Sequence, residues 1–238
     1  MTESSRLLTL FSRELGKVKG VAKGAERPKS RLGGKIELFN LIECDFYMKE
    51  TAELGTLSNA GLLEDFKRIS EEPRKFGFAS AWCEVLDKSS HTEEPHPETF
   101  DLTFEYLKTM ESADSQAAGL LFWSCIMKFL GLEGYAPSLD ACVSCGEISD
   151  KGRLMVSLER GGLVCGNCVG PEEPVVVISP EALELLRLME SAPLAEIASQ
   201  KIESRVGKTA AEVILSLANY HLGLPRSLKS FRFLEGLR

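Results

Sequence analysis

Four cysteines arranged as two pairs are the residues of this chain best suited to chemistry. They are Cys142 and Cys145 in the first pair and Cys165 and Cys168 in the second, with nineteen residues between the pairs. A Cys-x-x-Cys turn brings two thiolates to about 2.3 Å from one metal ion, and two such turns complete a tetrahedral shell. The spacing therefore predicts one structural Zn2+ ion. Because all four ligand positions belong to the protein, the ion would hold structure and perform no reaction.

Two other interpretations of the cysteine pairs stay open on sequence alone, namely a pair of redox motifs or a pair of disulfides. A redox Cys-x-x-Cys favours a thioredoxin-like setting between strand and helix, whereas residues 140–170 are a stretch with Gly and Asp and no such pattern. The chain has seven cysteines, an odd number, which fits a reducing compartment. Cys44, Cys83 and Cys125 have apolar neighbours and are predicted to lie in the core. We therefore expect a cytoplasmic protein.

No catalytic constellation accompanies the cysteines. The sequence has no phosphate-binding loop, no dinucleotide fingerprint and no G-x-S-x-G nucleophile elbow. Its three histidines are His91 and His96 in a polar linker and His221 near a helix end, and none has an identifiable nucleophile as partner. We predict a binding protein and no enzyme; the alternative is a thiol-redox or zinc-dependent enzyme that uses the cysteine pairs.

The charge distribution indicates what is bound. The chain has a net charge of −7, yet residues 6–35 contain nine Lys or Arg and only two acidic residues. Such a contrast between segments indicates an anion-binding face on an acidic body. Cations track phosphates, and Phe39 or Tyr47 could stack bases of a single strand. The predicted DNA-binding residues are Lys17, Lys19, Lys23, Arg27, Lys29, Arg31 and Lys35. The alternative is that these charges form an ordinary solvated face.

The elements that must position these residues follow from periodicity. Residues 6–58 read as β-structure, with one bent strand over 35–48 and a basic loop over 24–34. The period becomes helical after about residue 60, beginning with Leu62 and Leu63. A buried helix is predicted over 120–132, and no apolar run reaches the ~18 residues of a membrane span. Ser179 and Pro180 open a further helix, and another covers 208–222. The expected class is α+β.

Several segments together resemble the RecO family of DNA-repair proteins. They are residues 7–24, 27–34, 37–43 and 228–234, and the four cysteines also stand where that family has them. The resemblance implies an N-terminal oligonucleotide/oligosaccharide-binding (OB) barrel and a helical domain with an embedded four-cysteine zinc finger. The implied divisions are an OB-fold DNA-binding domain over 1–60, the first helical part over 61–139, the zinc module over 140–170 and the second helical part over 171–238. The chain begins inside the turn before Leu7, so we expect a barrel that lacks its first strand.

The resemblance also implies a function. RecO-like proteins are recombination mediators that bind single- and double-stranded DNA and anneal complementary strands. The implied partners are RecR and the tail of single-stranded DNA-binding protein, with RecA loaded indirectly at gaps, and the implied location is the cytoplasm, at the nucleoid. The alternative is a zinc-containing protein-docking adaptor with little DNA binding of its own, whose acidic helical body is the working surface.

Overall fold

A computed structural model describes residues 4–49, 52, 54–147, 153–225 and 227–236. The first part of the chain forms four strands, β1 Arg6–Ser12, β2 Gly16–Ala22, β3 Leu41–Tyr47 and β4 Gly55–Glu64. Helices follow, α1 Lys67–Glu71, α2 Pro73–Ser89, α3 Pro97–Ser112 and α4 Ala118–Leu132. Three short strands come next, β5 Leu154–Ser157, β6 Gly162–Val164 and β7 Val175–Ile178. The last part contains α5 Pro180–Ser191, α6 Leu194–Ala198, α7 Ser204–Leu222 and α8 Lys229–Glu235. The predicted α+β class, with an N-terminal β region followed by helices, is confirmed.

The N-terminal sheet has the strand order β1-β2-β4-β3. β1 and β2 form an antiparallel hairpin, β2 and β4 run parallel, and β3 and β4 are antiparallel with two register shifts. Residues alternate between the two faces of β2, so that Val18 and Ala22 are buried on one face, with Ala22 in the small core of this sheet, while Lys17 and Lys19 lie on the other face. Gly20 and Gly55 lie against the ring of Phe46, and a Cβ atom at either position would come within 2.5 Å of that ring. The absence of two side chains therefore makes room for one aromatic ring inside the sheet.

Two predictions about this region are wrong. The strand predicted over 35–48 begins only at Leu41, because residues 32–39 form turns and Phe39 has a φ of 72°. Leu62 and Leu63 belong to the end of β4 and are exposed on it, instead of starting a helix. At Leu62 and Leu63 a short apolar pattern fitted two periods, and the pairing of β4 with β3 decided for the strand. At residues 35–40 the alternation of apolar residues continued into a segment that turns.

The helical part is built around α4. The expectation that no apolar run is as long as a membrane span is wrong by length and composition alone, since residues 115–132 pass that test. Nine positions of this helix are buried in the protein core, including Leu121, Phe122 and Phe129, and α2, α3, α5, α6 and α7 all pack against it. This burial makes α4 the central helix of a folded domain, as the sequence predicts. The predicted start of α5 is also confirmed, since the Ser179 hydroxyl accepts a hydrogen bond from the Ala182 N–H.

Candidate metal centre and nucleic-acid interface

The four cysteines converge on one point. Their sulfur atoms all lie within 4.8 Å of one another, and the Sγ atoms of Cys145 and Cys165, one from each pair, are 3.9 Å apart. A tetrahedral ion with sulfur ligands at 2.3 Å places the sulfurs about 3.8 Å apart along each edge. The cluster therefore has the size and the donor set that could hold a metal ion.

Each cysteine pair sits on a tight backbone turn. In the first, the Gly146 N–H donates to the Cys142 carbonyl at 2.8 Å, and Gly146 has a φ of 73°, which favours glycine. In the second, the N–H groups of Cys168 and Val169 both donate to the Cys165 carbonyl at 3.0 Å. We call these two turns, residues 142–146 and 165–169, the first and second knuckle. The strands β5, β6 and β7 form a small sheet beside them, in the order β6-β5-β7.

The environment of the thiols favours ionisation at Cys142. Burial alone raises the pKa of this thiol, but the N–H groups of Cys145, Cys165 and Ser144 lower it to about 6. The opposite holds for Cys168, where the neighbouring thiols of Cys165 and Cys145 raise the pKa to about 12. Four crowded thiols cannot all ionise without a cation among them, and a divalent metal supplies that charge.

The sequence does not predict which polar side chains connect the two knuckles. The Arg160 guanidinium donates to the Ser144 hydroxyl in the first knuckle and lies 2.9 Å from the Glu173 carboxylate. That carboxylate also accepts from the Gly170 N–H, next to the second knuckle, at 2.9 Å. Arg160 and Glu173 are separated by a strand and a loop, so no local spacing rule pairs them.

The predicted DNA-binding residues fall into two groups. Five of them are exposed, and none of the five forms an ion pair with a carboxylate in the part of the chain that the structure describes. We call these five the exposed cation set: Lys19, Lys23, Arg27, Lys29 and Arg31. Lys19 stands on β2 opposite Thr9 of β1, and the others follow in the turns after β2.

Apolar residues pack the loop that carries this set against the core of the N-terminal sheet. Ala25, Leu32 and Ile36 are buried, and they pack with Leu57 and Ala60 of β4 in the core of the sheet. Ala25 precedes Arg27, Lys29 and Arg31, which are exposed, and Leu32 follows them. The apolar residues therefore hold both ends of this basic stretch against the sheet and leave its charges exposed to solvent.

Lys17 and Lys35 are used within the protein. The Lys17 side chain is 11% exposed, donates to the Asp87 carbonyl of α2 and lies 3.6 Å from the Asp87 carboxylate. The Lys35 ammonium donates to the Ala60 carbonyl of β4 at 2.8 Å. Sequence alone does not separate these two from the five exposed cations, because all seven are basic residues in one segment.

The Lys17 contact belongs to a junction between the sheet and the helices. Phe11 stacks on Phe100 of α3 with ring centroids 6.4 Å apart. Gly16 has a φ of 64°, and a Cβ atom there would lie 1.8 Å from the Glu94 carbonyl oxygen. The turn of the β1–β2 hairpin is therefore packed directly against the segment that leads into α3.

The two aromatic candidates for base stacking also differ. Phe39 is 7% exposed and makes an edge-to-face contact with Phe76 of α2, so it belongs to the core and not to a binding surface. Tyr47 is 67% exposed at the end of β3. A second group of basic residues, Arg226, Lys229 and Arg232, stands near the C-terminus and would be the alternative DNA surface if the N-terminal loop does not bind. Lys229 and Arg232 are exposed on α8, and Arg226 lies outside the described residues.

Comparison with known proteins agrees with this architecture. The family model for the N-terminal part of recombination protein O matches residues 1–66, and the model for its C-terminal part matches residues 70–230. The chain belongs to the RecO family. A DNA repair protein RecO of Pelotomaculum thermopropionicum is 31% identical over 98% of this chain and 88% of the relative. The RecO protein of Desulfatibacillum aliphaticivorans is 31% identical over 98% of this chain and 90% of its own length. A RecO protein of Desulfitobacterium hafniense is 37% identical over 70% of this chain and 59% of the relative.

Membership in the RecO family gives the chain a role in recombination and DNA repair. The two family models meet between residues 66 and 70, where β4 has ended at Glu64 and α1 begins at Lys67. The exposed cation set lies in the N-terminal match, and the four cysteines lie in the C-terminal match.

Proposed function

We propose that this chain is a non-catalytic DNA-binding recombination mediator. The observation that carries the proposal is the exposed cation set, five charges on β2 and the turns after it that have no carboxylate partner among the described residues, in a chain from a recombination-repair family. An acidic protein with a net charge of −7 needs a local reason to expose such a cluster. Phosphate binding supplies that reason, because cations released from the DNA on binding favour the complex.

The proposed mode of binding is sequence-independent. Lys and Arg side chains neutralise phosphates, and the exposed ring of Tyr47 offers one surface on which a base can stack. The surface binds both single and double strands, since both present phosphates, and by holding one strand it promotes annealing with a complementary strand. Lys17 and Lys35 hold the sheet and its loop in place and contribute to DNA binding through that position.

The proposal includes the partners of a mediator. They are RecR and the tail of single-stranded DNA-binding protein, with RecA loaded indirectly at gaps, and the protein acts in the cytoplasm at the nucleoid. Family membership supports these partners. We further propose that the four cysteines hold one structural Zn2+ ion, because four thiolates that can converge on one ion are a donor set that zinc prefers.

A salt titration of DNA binding tests the DNA surface. If five cations contact phosphates, log K against log[salt] on single strands should have a slope of roughly −3.5. Reversal of three of them (Arg27→Glu, Lys29→Glu and Arg31→Glu) should flatten this slope by about 2 and abolish annealing. Metal content and the helical circular dichroism signal should not change, because the loop is anchored to the sheet and does not support the helices.

The matched control reverses three exposed cations of the helical part. Lys201→Glu, Arg205→Glu and Lys208→Glu change the total charge by the same amount at the beginning of α7. We expect the slope of this control to stay near that of the wild type. Equal slopes and equal affinities for the wild type and the loop variant would contradict the proposal and favour the docking adaptor, whose partners bind the acidic helical body.

A further inference from the structure

An ion pair between the exposed Arg160 and the buried carboxylate of Glu173 connects the two knuckles of the cysteine module. Glu173 has a side chain that is only 4% exposed, and its carboxylate meets the Arg160 guanidinium at 2.9 Å. Taking a carboxylate out of water is unfavourable unless its oxygens are well paired. Both oxygens are paired here, since Oε1 accepts from the Ser157 hydroxyl and Oε2 accepts from Arg160 and from the Gly170 N–H.

The second half of the connection is made by Arg160. Its Nη2 atom reaches Glu173, and its Nη1 atom donates to the Ser144 hydroxyl, inside the first knuckle. The Arg160 N–H donates to the Ser157 hydroxyl at 3.1 Å, which holds the β5–β6 turn against the same pair. A continuous series of hydrogen bonds therefore runs from Ser144 in the first knuckle to Gly170, which follows the second.

These contacts act on the distance between the ligand pairs. Cys142 and Cys145 move with the first knuckle, and Cys165 and Cys168 move with the second, so a link between the knuckles determines whether all four sulfurs meet at one point. The partners that the structure describes for Glu173 all lie within residues 157–173. The hydrogen bonds of Glu173 therefore lie within the cysteine module and its small sheet.

Arg160 also supplies directed hydrogen bonds to the first knuckle. Its planar guanidinium donates to Ser144 and to Glu173 at once. Glu173 balances its charge, so the pair acts through position and adds no net charge to the site. A hydrophobic pair of similar size would fill the same space without these hydrogen bonds.

We propose that Arg160 and Glu173 are positioning residues that bring the two knuckles to metal-binding distance and hold them there in the metal-loaded site. This inference rests on the proposed metal site, and it assigns a role to two residues outside the four ligands. Partners around the ligands of a metal site commonly change its affinity by about 10- to 100-fold.

The test measures how fast the full-length protein releases metal to an excess of a coloured chelator. Glu173→Gln and Arg160→Gln should each release zinc about 10- to 100-fold faster than the wild type. Arg160→Lys should lie between them and the wild type, because lysine keeps the charge but loses the two-pronged geometry. The double variant should be no worse than the poorer single variant, since the two residues act as one unit.

Two further measurements separate a positioning role from general loss of structure. At saturating metal the variants should still bind one ion per chain, and with Co2+ in place of zinc they should give the tetrahedral thiolate spectrum. The control is Glu159→Gln, an exposed carboxylate beside Arg160, which should release metal at the wild-type rate.

The possible outcomes distinguish the positioning role of Arg160 and Glu173 from the proposed metal site on which it rests. A wild-type protein that holds one zinc ion but shows unchanged release in Glu173→Gln and both Arg160 variants would overturn the positioning role alone. A wild-type protein that binds no zinc or Co2+ would overturn the metal site and this inference together. If the Gln variants fail to fold, the Arg160→Lys release rate decides, and a wild-type rate there overturns the inference.

Discussion

The cysteine module and the exposed cation set use charge in opposite ways. In the module, polar groups are turned toward one another, so that Arg160 meets Glu173 and four sulfurs lie within 4.8 Å of one another. On the N-terminal sheet, five cations face solvent without a carboxylate partner in the described residues. Charges that satisfy each other specify a local structure, whereas charges left unpaired are available to a partner.

The difference lies in what supports each region. The N-terminal loop is held from beneath by apolar residues of the sheet core, including Leu32 and Ile36, and its surface needs no ligand to form. The module has a small apolar cluster of Met155 and Val164 beside the cysteines themselves. A cluster of that size buries little apolar surface, so a bound ion contributes much of its stability. We therefore expect metal loss to damage the module and leave the loop intact.

The largest effect should follow loss of one ligand. Cys165→Ser should lose the metal and lower the melting temperature, because structural zinc contributes on the order of 10 kcal/mol in small modules. The measurements are metal analysis by mass spectrometry and thermal unfolding followed by circular dichroism. DNA binding at low temperature should change little if the two regions are independent.

Cys44→Ser is the matched control for that variant, since Cys44 lies on β3, away from the metal ligands. It should keep a full complement of metal. The prediction would be contradicted by a purified wild-type protein that holds no stoichiometric zinc and whose melting temperature does not change when chelators are added.

A smaller effect should distinguish two lysines on the same strand. Lys19→Met should lower the salt slope of DNA binding by about 0.7, the loss of one phosphate contact, without changing stability. Lys17→Met should leave the slope unchanged and reduce the free energy of unfolding by about 0.2–1 kcal/mol, because its ion pair with Asp87 is partly exposed. The two measurements are a salt titration and urea unfolding of each variant. Equal behaviour of the two lysines would show that the junction with α2 does not set Lys17 apart.

An effect on stability alone is expected at α8, which lies apart from both regions in the chain. The Glu84 carboxylate accepts hydrogen bonds from the N–H groups of Lys229 and Ser230 at the start of this helix. Burial raises the pKa of Glu84, but these N–H groups and the Ser230 hydroxyl outweigh it and hold the pKa below its usual value. Glu84→Gln should therefore reduce stability at pH 7 by about 1 kcal/mol, the usual effect of losing a helix cap.

The pH dependence gives the sign of this contribution. Because the pKa of Glu84 is lower in the folded state, its stabilisation is complete above the unfolded value of about 4.3 and is lost as the pH falls through the folded value. Urea unfolding should show a gap between the wild type and Glu84→Gln at pH 7 that closes under acid conditions. The control Glu212→Gln changes an exposed carboxylate on α7 and should show no gap. Metal content and DNA affinity should be the same in all three proteins.

The parts of the fold that could be predicted are those specified by local chemistry. The cysteine pairs, the Ser179 cap of α5 and the apolar length of α4 each depend on neighbours within a few residues. The end of β4 could not be predicted, because an apolar residue such as Leu62 fits a helix or a strand until its partner strand is known. The start of β3 depends on the same strand pairing.

The sequence by itself determined which residue types were present and how closely they followed one another. That was enough to indicate a four-sulfur site and a basic segment in an acidic chain. Only the tertiary structure decided which lysines remain free, since Lys17 and Lys35 are engaged by residues 70 and 25 positions away. It also buried Phe39 against Phe76 and joined the knuckles through Arg160 and Glu173. The physical reason is that pairing and burial depend on groups brought together by folding, about which local spacing carries no information.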